Sequence, residues 1–137
     1  MGTVYADITL KNAGDAIRVQ ERLITEPEVR KTTVSAIVDT GAATLFITEA
    51  VCQQLGLTVQ SERSARIANG TRITCKVTEP VEIRWKERST TCPAIVMPGA
   101  ENVLLGAIPL EDMDVMVNSA GRELVGAHGD EIVALAL

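Results

Sequence analysis

Residues 35–47 read SAIVDTGAATLFI, and an acid, Asp39, stands between two apolar runs where a buried segment is expected. The β-branched lead-in VRKTTVSAIV and the short ATLFI behind it predict two strands with the acid at their junction. Such a junction commits the chain to a sheet and leaves the carboxylate to be explained. The other segments point the same way. Val4, Ala6, Ile8 and Leu10 alternate with polar residues, the pattern of a half-buried strand. KNAGD signals a turn. Residues 16–24, AIRVQERLI, fit strand or helix, and the hairpin context favours strand; TEPE ends the run. The clear helix is TEAVCQQLGL, with Thr48 as its cap, Glu49 at its positive end and Gly56 as its stop. ARIANGTRITCKV makes two alternating runs around Asn69-Gly70, a strong hairpin signal. VEIRW and TTCPAIVM form a second pair, in which Pro93 requires an edge or a bulge. VLLG is a short buried strand, IPLEDM at most one helical turn, and DVMVN-SAGR-ELVGA a late hairpin. The tail EIVALAL is apolar and needs a partner to cover it. The sum is an all-β domain of short strands with one or two short helices.

Composition bounds the core and the function classes. The chain's 137 residues fit one domain, and 46% are hydrophobic while 2% are aromatic, so the core is aliphatic. The formal net charge of -5 and the lack of a basic patch argue against a nucleic-acid partner. Cys52, Cys75 and Cys92 are odd in number and lack CxxC spacing, which predicts reduced thiols in a cytoplasmic setting. His128 stands alone in a glycine-flanked stretch and reads as a solvated loop residue, so no metal site is expected. The start, MGTVYADITL, has neither the basic region nor the apolar run of a signal peptide, and Ala6 breaks the myristoylation pattern. No apolar run approaches membrane-span length, so no membrane partner is expected.

Three readings of Asp39 compete. Asp-Thr-Gly is common where a strand ends, because Asp accepts backbone N–H bonds and Gly permits positive φ. A phosphate or metal site lacks a glycine-rich loop and companion ligands. The third reading is the carboxylate of an aspartic protease. Glu111, Asp112 and Asp114 lack the spacing of a calcium loop and fit a solvated helical turn. Trp85 fits a core-packed strand position, and Cys52 has no histidine nearby in sequence to activate it.

The order of VDTGA, a strand, a short helix, a glycine hairpin and LLG resembles the retropepsins, the single-lobe aspartic proteases, over residues 35–125. LLGAIPLEDMDVMV looks most like the bacterial members of that clan. The resemblance implies a closed β-barrel, with residues 1–34 as lead-in strands and residues 126–137 as a possible dimer strand. It implies that Asp39 is catalytic, that the Thr40 hydroxyl reaches a partner loop, and that Gly41 lets substrate backbone approach. Ala42 stands where pepsin-like enzymes carry a hydroxyl, which points to activity at mildly acidic to neutral pH. Leu104, Leu105 and Gly106 match the segment packed beside the aspartate loop, and Asn69-Gly70 falls where a substrate flap has its tip. One Asp-Thr-Gly in so short a chain implies a homodimer acting on a peptide or protein, without a cofactor. The alternative is a dimeric peptide-binding scaffold of the same fold without turnover. Two departures stand out. Ala43 and Ala107 replace both halves of an acid–arginine pair common in viral members, and the flap carries a single glycine.

Overall fold

The computed structural model describes residues 2–131; residues 132–137, the second half of the 126–137 segment expected as a dimer strand, lie outside the described residues. The alternation at the start becomes β1 (Val4–Asn12), whose even-numbered residues are buried. β2 (Lys31–Val38) runs antiparallel to it, with Val4 opposite Val38 and Lys11 opposite Lys31. β3 (Leu45–Ile47) follows the Asp39 turn, and α2 (Glu49–Gln54) follows β3. The Thr48 hydroxyl caps α2 by accepting the Val51 N–H at 3.1 Å. β4 (Val59–Arg66) and β5 (Arg72–Trp85) make a long hairpin, and β6 (Arg88–Val96) returns along β5. β7 (Leu104–Leu105), α3 (Ala107–Asp112) and the hairpin β8 (Val115–Asn118) and β9 (Glu123–Asp130) complete the order.

The strands form a sheet in the order β1-β2-β7-β3-β6-β5-β4. β1 also pairs β5, from Thr9 opposite Arg84 to Asn12 opposite Val81. That extra ladder joins the sheet to itself through six strands and leaves β4 outside, on the free half of β5. The fold is therefore all-β, as expected, with three short α-helices. The interior is aliphatic, with Leu10, Leu45, Ile47, Leu55, Ile83 and Leu105 fully buried. Pro93 lies opposite Pro80, where the β5–β6 register breaks after Val77; this bulge removes the need for a proline N–H.

Several expectations are corrected. KNAGD is not a turn: Lys11 and Asn12 end β1, and Ala13 to Asp15 open α1 (Ala13–Gln20), which takes in the first part of the 16–24 run expected as strand. Asn12, fully buried, caps it by accepting the Asp15 N–H at 3.0 Å and donates to the Leu55 carbonyl at 2.9 Å. Asp15 in the first turn receives Arg18 Nη1 at 2.8 Å and Arg30 Nε at 2.9 Å. These contacts select helix over strand for a run whose Ile17 stays exposed. His128 lies on β9 rather than in a loop, and its Nδ1 is 2.9 Å from both Asp114 oxygens. Asp114 is thereby tied into the β8–β9 corner together with Arg88, which donates to the Met113 and Asp114 carbonyls. It is not simply a solvated charge. Trp85 is buried at the end of β5, as an alternating strand residue should be.

Candidate active site

The Asp39 loop is held from beneath. β7 inserts between the strands that flank the loop: Leu104 and Leu105 pair in parallel with Ile37 and Val38, and antiparallel with Phe46 and Leu45. The Asp39 N–H donates to the Leu105 carbonyl at 3.0 Å, so the last strand bond is made at the acid itself. Gly106 leads from β7 into α3. A Cβ there would run into the carbonyl oxygens of Thr44 and Ala42, so only glycine fits. Behind it the Ala107 N–H donates to the Ala42 carbonyl at 2.8 Å and the Ile108 N–H to the Ala43 carbonyl at 3.0 Å. Main-chain bonds thus anchor α3 to the loop where the acid–arginine pair is missing.

Within the loop, the Gly41 N–H donates to Asp39 Oδ1 at 2.9 Å and the Ala42 N–H to the Asp39 carbonyl at 3.1 Å. The turn-forming role of Asp39 is therefore real. It does not exhaust the residue, because the carboxylate remains exposed and faces a cleft of about 840 Å³. Thr40 and Gly41 are exposed beside it, and Ala42 is half-buried. The cleft floor is apolar, from Phe46, Val77, Ile95, Met97 and Leu104, and Ile108 stands at its edge. The roof is the β4–β5 hairpin. Asn69-Gly70 forms its tip, where Gly70 has φ +84° and the Asn69 side chain accepts the Thr71 N–H at 2.9 Å. The structure thus brings Asp39, Gly41, Ala42 and Leu104 to one cleft under the hairpin, with Leu105 and Gly106 supporting them from below.

Cys75 also lines the cleft but is almost fully buried, and burial pushes its thiol pKa up. Burial raises Cys52 and Cys92 as well, so none of the three is poised as a thiolate nucleophile. Among the described residues, no three His, Cys, Asp or Glu side chains converge into a metal-binding group, and no helix is long and apolar enough to cross a membrane.

The family model described as "gag-polyprotein putative aspartyl protease" matches residues 25–112, well over half of the chain. The chain belongs to this retropepsin-like aspartyl protease family. No curated protein matches it. The aspartyl protease match takes in β2, the Asp39 loop, the hairpin, β7 and α3, which together bound the cleft; β1 and the β8–β9 hairpin lie beyond it. Membership in this family points to peptidase activity in general terms. One feature of the cleft escapes a linear reading. Arg63 and Arg66 belong to its hairpin side, and pairing sets Arg63 opposite Cys75 and Arg66 opposite Arg72. Only a residue-by-residue hairpin register shows that Arg63 shares the cleft face with Cys75 while Arg66 and Arg72 share the other.

Proposed function

We propose that the chain is an aspartic endopeptidase that works as a symmetric homodimer, with two Asp39 carboxylates meeting on the two-fold axis. The observation that carries this reading is the exposed carboxylate of Asp39. It sits on a loop braced by β7 and faces a peptide-sized cleft in which, among the described lining residues, it is the one acid. Aspartic catalysis needs a pair: two carboxylates about 3 Å apart cannot both ionise easily, so they share a proton. The ionised member takes a proton from a water whose oxygen attacks the amide carbon. The protonated member hydrogen-bonds the carbonyl oxygen, and the C–N bond then breaks with a proton passed to the departing amine. A second copy supplies the missing acid through an isologous contact. The Thr40 hydroxyl is suited to reach the partner's loop, and the Asn69-Gly70 hairpin to close over a peptide laid as an added strand across the floor. Ala42 offers no hydroxyl to the ionised carboxylate, so activity at mildly acidic to neutral pH is expected. Three unbridged cysteines suit a reducing, cytoplasmic compartment.

A dimeric peptide-binding scaffold without turnover is the second reading, and the alanines at 43 and 107 favour it. The hydrogen bonds from Ala107 and Ile108 to the loop answer that objection in part, since they brace the loop without an ion pair. Asp39→Asn separates the two readings. Under the protease reading, cleavage of a peptide library disappears while sedimentation still reports a folded dimer. A wild type that cleaves neither the library nor itself, or that is fully active as a strict monomer, defeats the proposal.

A further inference from the structure

We infer that the cleft selects peptides carrying an acidic side chain beside an apolar scissile pair, and that Arg63 is the residue that reads it. This rests on the peptidase reading above for the identity of the bound chain. In the β4–β5 ladder, residues directly opposite one another share a face. Arg63 is opposite Cys75, and Cys75 lines the cleft, so Arg63 stands on the cleft side of the hairpin. Arg66, three residues further along β4, falls on the opposite face by the alternation of the strand, where its cross-strand neighbour is a second cation, Arg72. Like charges set directly opposite disfavour the hairpin. Among the described residues no carboxylate forms an ion pair with Arg63, Arg66 or Arg72, although ion pairs elsewhere engage Lys11, Arg18, Arg30 and Arg88. Lys76, on the same hairpin, faces Glu62 across the ladder.

The cleft therefore presents an apolar floor for the residues at the scissile bond and an unmatched guanidinium group, Arg63, on the roof above it. A carboxylate on the bound chain would supply the partner it lacks, and guanidinium suits it with a planar fork of N–H donors. In a symmetric dimer the same arginine recurs on both sides of the scissile bond, so acids are favoured on either side.

The test is a fluorogenic series with one apolar scissile pair flanked by Glu, Gln or Lys, assayed with wild type, Arg63→Glu and Arg66→Glu. An exposed ion pair yields up to about 1 kcal/mol, so the Glu peptide should exceed the Gln peptide about fivefold in kcat/KM, mainly through KM. The advantage should shrink at about 0.5 M salt, where the screening length is about 4 Å. Arg63→Glu should reverse the Glu-over-Lys preference, with cooperative urea unfolding showing that the variant folds, whereas Arg66→Glu, on the opposite face of the hairpin, should leave the preference in place. Fluorescence anisotropy with labelled, non-hydrolysable versions of the same peptides reads the same ratio without turnover. A preference in binding with no cleavage would remove the peptidase reading and keep this one. Equal handling of all three peptides in both assays, or a Glu preference untouched in Arg63→Glu, overturns it.

Discussion

Asn in place of Asp15 should cost about 2 kcal/mol at neutral pH, and most of that cost should vanish in acid. The Asp15 side chain is 4% exposed, and Arg30 engages it through Nε at 2.9 Å, Nη2 at 2.9 Å and the main-chain N–H at 3.0 Å. The Arg30 side-chain hydrogen bonds come first among the causes that lower its pKa from 3.8 to about 2, against a desolvation that works to raise it. That drop of just under two pH units corresponds to about 2 kcal/mol. The sign follows from the folded value lying below the unfolded one. The stabilisation is complete above pH 4 or so and is lost as pH falls through about 2. At equal protein concentration, urea unfolding of both proteins at a series of pH values gives the difference directly, because every other carboxylate cancels. The gap should be about 2 kcal/mol at pH 7 and fall below about 0.5 kcal/mol by pH 2. A gap that stays constant over that range would refute the assignment of this stability to an ionised Asp15.

Gly106→Ala should destabilise by about 1–3 kcal/mol and weaken any cleavage, since the new Cβ meets the carbonyl oxygens of Thr44 and Ala42 under the Asp39 loop; urea unfolding and a peptide assay read both. Asn12→Ala leaves α1 uncapped and the Leu55 carbonyl without its donor, for about 2 kcal/mol by thermal unfolding. Leu105→Ala empties a fully buried position on β7 and should cost about 2–5 kcal/mol in the same measurement.

The parts of the fold that could be read from sequence are those fixed by short-range signals. Alternation marked β1, Asn69-Gly70 marked the hairpin tip, and Thr48 with Gly56 bounded α2. VDTGA and LLG, far apart in the chain, could be joined only through a resemblance, and β7 lying between β2 and β3 gives that pairing its physical content. The features that escaped depend on distant partners. α1 is settled by Asp15 meeting Arg30 and by Asn12 meeting Leu55. His128 is placed by Asp114 across the β8–β9 corner. The place of Arg63 on the cleft side of the hairpin appears only once it is set against Cys75.

The central claim is that each polypeptide carries half of the catalytic pair. Wild type and Asp39→Asn, unfolded together and refolded in varied ratios at fixed total concentration, test it directly. If one active centre needs an Asp39 from each of two subunits, peptide cleavage follows the square of the wild-type fraction, so an equal mixture retains about a quarter of the activity. A linear fall, with about half remaining in the equal mixture, would mean that a single subunit suffices and would contradict the account.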